Sequence, residues 1–202
     1  QLCLMLGSDY GRQLLKGKFV MKTVVFSDMD GTLLNEHYSS EFAKPALDQL
    51  LAMNVSIVLC SSKTRAEIQL FRKKFGITDP FISENGAAIF IPKNYFKNTP
   101  SYDLTIGEFG VVKIGLPYSV LREKLESIRT RTGFNLVGFG DLTAEEVASD
   151  SGLPVELAIL AKKREYDEPF RMLSGDESQL MAAAEVEGVC ITKGDRYWHL
   201  KG

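Results

Sequence analysis

The stretch Val24-Val25-Phe26-Ser27-Asp28-Met29-Asp30-Gly31-Thr32-Leu33-Leu34 decides how the chain reads. Val24-Val25-Phe26 is a short apolar run of the kind that forms a strand buried on both faces. Two aspartates one residue apart follow at once, and Gly31 lets the backbone turn away sharply. In a parallel α/β sheet, ligands gather outside the carboxyl ends of the strands. Carboxylates placed there can divide one reaction between them. Asp28 can attack phosphorus as a nucleophile. Asp30 can protonate the leaving oxygen and then activate water. A phosphate dianion and Asp28 repel each other, so a hard cation such as Mg2+ with oxygen ligands is expected to screen them. Thr32 is placed to orient Asp30 through its hydroxyl.

Working outward, residues 41–53 carry a helical stripe in Phe42, Ala46, Leu47, Leu50 and Leu51. A second apolar run, 55–60, precedes another helical stripe over 64–75, and Gly76 ends it. Phe81-Ile82-Ser83 reads as a third strand. This β-α-β-α-β order predicts a Rossmann-like parallel sheet. The pattern changes after Gly86. Residues 87–91 read as a strand, and 92–117 as a polar stretch punctuated by proline and glycine. Helices are predicted over 118–132, 154–163 and 177–186, with a capping box at Thr143 and Glu146 for a short one. Residues 188–192 and 196–200 read as strands flanking a Lys193-Gly194-Asp195 turn. The expected architecture is α/β, a parallel-sheet core with an inserted α+β cap. Its expected divisions are an extension or linker over 1–20, a core over 21–91, a cap over 92–190, and a return to the core over 191–202.

The 202 residues carry 24 basic and 26 acidic side chains, for a formal net charge of -2, so no basic surface suited to nucleic acid is expected. No run approaches the roughly 20 apolar residues of a membrane span. Cys3, Cys60 and Cys190 do not form a disulfide framework. The latter two read as buried free thiols, which fits a reducing cytoplasm. Residues 1–20 read as an extension before a start at Met21, or as an ordinary N-terminal helix. The composition leaves the oligomeric state open.

Residues 24–34 resemble the first motif of the haloacid dehalogenase superfamily of phosphatases. That resemblance implies Asp28 as nucleophile and side-chain metal ligand, and Asp30 as general acid/base and backbone metal ligand. Ser61, after the second apolar run, matches the phosphate-binding hydroxyl of the second motif, and also suits a helix N-cap. Ser61-Ser62-Lys63-Thr64-Arg65, Ile82-Ser83-Glu84-Asn85-Gly86, Arg164-Glu165-Tyr166-Asp167-Glu168-Pro169-Phe170 and Ile191-Thr192-Lys193-Gly194-Asp195-Arg196-Tyr197-Trp198-His199-Leu200 resemble the mannosyl-3-phosphoglycerate phosphatase subgroup. The implied partner is a small-molecule sugar phosphate, and the implied cofactor is Mg2+.

Such a substrate carries a phosphate and a carboxylate, so the candidate binding residues are Ser61, Lys63, Arg65, Arg164, Lys193 and Arg196. Each of these cations also suits a solvated surface. Asn85 reads either as a donor to sugar hydroxyls or as a brace for the hinge. Tyr197 and Trp198 suit either a sugar face or the core, and His199 reads as structural. The resemblance further implies a phosphate-neutralising lysine and a Gly-Asp loop with another metal carboxylate. The pairs Gly140-Asp141, Gly175-Asp176 and Gly194-Asp195 all lack that loop's spacing, so both elements are expected past Gly202, and the 202 residues alone are expected to be weakly active or inactive.

Overall fold

In the computed structural model, which describes residues 23–98 and 100–202, the apolar run Val24–Ser27 forms β1 and pairs in parallel with β2, Ser56–Cys60. Between them lies α1, Lys44–Ala52, with proline in its first turn and Leu47 buried. Helix α2, Arg65–Phe75, leads to β3, Phe81–Ser83, which is parallel to β2. Its start is set by a capping box, in which Thr64 Oγ1 accepts the Glu67 N–H and the Glu67 carboxylate accepts the Thr64 N–H. Gly76 stops it at φ 71°, a left-handed conformation that glycine adopts without strain. The proposed extension over 1–20, with Cys3, lies outside the described residues.

The stretch 92–117 differs from its expected loop character. Ala88–Pro92 (β4), Leu104–Ile106 (β5) and Phe109–Lys113 (β6) extend the first sheet by antiparallel pairing, giving the order β1-β2-β3-β4-β6-β5. The sheet is therefore mixed, with a parallel trio at one side. The cause is aromatic packing. Phe109 meets the rings of Phe81 and Phe90 edge-on at 5.4 and 6.2 Å, while Phe81 and Phe90 stack at 4.8 Å. Strand β1 has β2 on one side and no strand on the other among the described residues, and its Val24 and Phe26 side chains are about half exposed.

A second unit follows Ile114. Asn135–Gly138 (β7), Glu168–Ser174 (β8), Cys190–Lys193 (β9) and Trp198–Lys201 (β10) form an antiparallel sheet in the order β7-β8-β10-β9. Helices α3, Tyr118–Thr132, and α6, Glu177–Val186, pack on it through Leu121, Leu125 and Leu180, which share a core with Phe170 of β8. Helices α4, Ala144–Ser151, and α5, Val155–Ala161, close around Phe139, Val147 and Ala158. Leu157 of α5 and Tyr166 pack into the first core instead and join the two units.

The expected cap over 92–190 is thus corrected at both ends. Its first two strands belong to the core sheet. Residues 191–202 do not return to the core, because β10 pairs with β8 and β9 and completes the cap sheet. Cys190 is exposed rather than buried, and Cys60 is half-buried.

On the cap, Asp141 accepts hydrogen bonds from Arg122, Arg129 and the Gly138 N–H. Burial raises its pKa, but these donors outweigh burial and bring it down to about 2. A depressed carboxylate stabilises the fold above its ordinary titration range and loses that contribution as pH falls through the folded value. Asp141→Asn is therefore expected to lower the urea unfolding midpoint at pH 7, by a solvent-screened effect on the order of 1 kcal/mol, and the gap from wild type is expected to close between pH 4 and pH 2. In the core, Phe109→Ala is expected to cost about 3–5 kcal/mol in the same measurement. An effect near zero would detach β6 from the first core.

Candidate active site

Met29 is fully buried, while Asp28 and Asp30 on either side of it are exposed. The Met29 carbonyl accepts the N–H groups of Thr32, Leu33 and Leu34 at 3.3, 2.9 and 2.8 Å, and Gly31 turns at φ 70°. The loop is thereby pinned, with both carboxylates facing outward past the end of β1. Asp28 Oδ1 accepts the Met29 N–H at 2.6 Å. The Asp30 carbonyl has no donor among the described residues. The expected Thr32 hydroxyl contact to Asp30 is not made. Instead Lys63 Nζ lies 2.9 Å from Asp30 Oδ1.

Lys63 is almost fully buried, 3.8 Å from Glu67 and 5.1 Å from the centroid of the Tyr38 ring. Lys63 precedes the N-cap of α2, and Glu67 lies in the first turn of that helix, four residues on. Neither Tyr38 nor Glu67 was legible as a site residue, since both are ordinary in their local sequence. Ser61 is buried beyond the end of β2, its backbone fixed by Ile82 and Asn85, and its hydroxyl accepts the Lys63 N–H at 3.3 Å. Thr64, not Ser61, is the N-cap of α2. Next to Ser61, the Cys60 thiol is pushed up first by burial and then by the Asp28 charge.

Asp30, Lys63, Arg164 and Arg196 line one cleft of about 460 Å³ between the units, and Tyr38 and His199 also face it. The other candidates are engaged elsewhere. Arg65 forms a bidentate pair with Glu165 at 3.0 and 3.1 Å. Lys193 pairs with Glu177 at 3.2 Å on the surface and covers the Trp198 ring. Asn85, at φ 60°, donates to Asp167 Oδ2 at 2.7 Å and so braces the hinge. Arg196, on the cleft wall, also donates to the Ser151 carbonyl there.

Arg164 lines the cleft but is itself part of a buried knot. It donates to Asp167 Oδ2 at 2.8 Å and to the Ser62 carbonyl at 3.1 Å, and stands 3.5 Å from Glu84. Glu84 in turn accepts the N–H groups of Glu165 and Tyr166. Burial holds the Glu84 carboxyl above the ordinary range, against the opposing pull of Arg164 and the Tyr166 N–H. Glu84 and Asp167 sit inside the strings noted above, yet only their burial reveals their role.

Residues 25–106 match the haloacid dehalogenase-like hydrolase family. Over 186 residues the chain is 46% identical to the glucosyl-3-phosphoglycerate/mannosyl-3-phosphoglycerate phosphatase of Methanococcoides burtonii, covering 90% of the chain and 68% of that relative. It is 36% identical over 187 residues to the mannosyl-3-phosphoglycerate phosphatase of Pyrococcus horikoshii, covering 90% and 72%. The chain thus spans about two thirds of the length of these curated relatives. A solved protein of Thermoplasma acidophilum shares the fold at a TM-score of 0.59 and 18% identity, over 89% of this chain and 64% of that one.

Removing Arg164 leaves Glu84 and Asp167 buried without their cation. Arg164→Leu is expected to lower unfolding free energy by about 3–5 kcal/mol, read from the urea midpoint at neutral pH. A midpoint equal to wild type would contradict the knot.

Proposed function

The chain belongs to the haloacid dehalogenase-like hydrolases, and from that membership we propose that it cleaves the phosphate ester of mannosyl-3-phosphoglycerate, releasing mannosylglycerate and phosphate. The observation that carries this reading is the loop that presents Asp28 and Asp30 together, with the Lys63 ammonium on Asp30 and Ser61 at the end of the adjacent strand. The glucosyl ester is the second candidate, because the Methanococcoides burtonii relative is named for both.

In the proposed course, an Asp28 oxygen attacks phosphorus and the phosphorus–oxygen bond to the glycerate carbon chain breaks. Asp30 gives its proton to that departing oxygen. Asp30 then takes a proton from water, whose oxygen attacks the aspartyl-phosphate and restores Asp28 with release of phosphate. Ser61 and Lys63 bind the phosphoryl oxygens, and Arg196 presents positive charge to the glycerate carboxylate.

The donors present fit Mg2+. The exposed Asp28 carboxylate and the free Asp30 carbonyl are hard oxygens, and Mg2+ typically takes one or two protein groups alongside water and substrate phosphate. Bound there, the ion would supply charge neutralisation between Asp28 and the phosphate. Among the described residues no group of three His, Cys, Asp or Glu side chains forms a fuller metal cage.

Phosphate release from the mannosyl and glucosyl esters with Mg2+ tests the proposal, on the 202-residue chain and on a version continuing past Gly202. Asp28→Asn is expected to reduce the rate at least about 10³-fold, and Asp30→Asn about 10²- to 10⁴-fold. No release from either ester by either folded version would overturn the substrate. Release unaffected by Asp28→Asn would overturn the nucleophile.

A further inference from the structure

His199 is held in a way that a purely structural histidine does not require. It lies on β10, in the interior of the cap sheet, opposite Pro169 of β8 and Thr192 of β9. Its Nδ1 is 2.9 Å from Asp167 Oδ2, and that carboxylate is fully buried. Arg164 and Asn85 donate to the same oxygen at 2.8 and 2.7 Å. Arg164 and Asn85 both donate to Asp167 Oδ2, which acts as an acceptor, so the imidazole turns its Nδ1 proton to that oxygen, and the Asn85 amide nitrogen also stands 3.3 Å from Nδ1. Nε2 is then the acceptor, with its lone pair directed away from Asp167.

Nε2 has no hydrogen-bond partner among the described residues, and the ring faces the cleft that also holds Asp30 and Lys63. The side chain is 16% exposed, so the opening is narrow. Gly194 keeps it open. A Cβ at that position would stand 3.2 Å from Nε2 and 3.0 Å from the Tyr197 carbonyl, tight enough to crowd the ring nitrogen. The exposed edge of the ring leaves Nε2 open to water or to a ligand in the cleft.

We propose that His199 reads the leaving group: Nε2 accepts a hydrogen bond from a hydroxyl of the glycoside, on the cap side of the cleft. The ligand class is a neutral polyol hydroxyl, since a carboxylate would meet Nε2 acceptor to acceptor. His199 thus selects for a hydroxyl-bearing ester and takes no part in the proton transfers at Asp30. This rests on the glycosyl-3-phosphoglycerate reading above.

The chain contains two histidines, and the other, His37, is 80% exposed at its side chain, which makes it an internal control. Nitrogen-15 spectra of the histidine side chains, recorded on the full chain, read the two separately. Mannosylglycerate is expected to shift the Nε2 resonance of His199 and leave His37 in place, while inorganic phosphate alone moves neither. Gly194→Ala, which retains His199, is expected to weaken mannosylglycerate binding about tenfold. Binding of mannosylglycerate, seen in the backbone amides, with His199 Nε2 unmoved would overturn the role of His199 and leave the substrate intact. An Nε2 shift with phosphate alone would also overturn it. No binding of mannosylglycerate, together with no hydrolysis of its phosphate ester, would remove the substrate reading and this inference with it.

Discussion

The burial of Met29 between two exposed aspartates is the constraint on which the chemistry depends. Alternation along an extended chain places neighbouring side chains on opposite sides. With Met29 turned inward, Asp28 and Asp30 must both turn outward. Three N–H groups on the Met29 carbonyl then stop the chain from continuing as a strand. The pairing of Ser27 with Leu59 sets the loop beside the exit of β2, where Ser61 and Lys63 lie. A slip of one residue would bury the aspartates and expose the methionine, so the hydrophobic register and the reactive geometry are the same fact.

The parallel trio was legible because each of its strands is a short apolar run and the first two are each followed by a helical stripe. Thr64 with Glu67 and Gly76 mark α2 in the sequence as they do in the fold. The hairpins after Ile91 were obscured by Pro92, Pro100, Gly107 and Gly110, which punctuate the text like a loop. Their strand character comes from Phe109 reaching Phe81 and Phe90, contacts between residues far apart in the chain. For the same reason Asp28, Asp30 and Ser61 could be read from local motifs, whereas the partner of Lys63 could not. Arg65 and Lys193 resembled anion contacts until their carboxylate neighbours, Glu165 and Glu177, were placed beside them. Asp167 gave no local sign that it gathers Arg164, Asn85 and His199.

The two units are held at one angle chiefly by groups that have little freedom. Glu84 and Asn85 both adopt positive φ, 50° and 60°, where non-glycine residues are rare, and both side chains reach across to the second unit. Thr64, the cap of α2, donates its hydroxyl to the Leu160 carbonyl on the same side. Leu157 and Tyr166 add apolar contact to the core beneath. The cleft therefore has walls set by the hinge itself, and the same carboxylate that closes the hinge also orients the ring of His199.

Such a hinge constrains how the sequence can drift. Glu84 and Asp167 are fully buried around the one guanidinium of Arg164, so a change at Arg164 leaves both carboxylates without their cation. Their effects on stability are coupled rather than additive. Across lineages these positions can only be exchanged as a set, passing through an ancestor with enough spare stability to survive an unbalanced intermediate. Surface positions such as Lys193 and Glu177 are free of that requirement and can vary singly. The hinge is thus expected to change slowly, and in correlated steps, while the surface around it turns over.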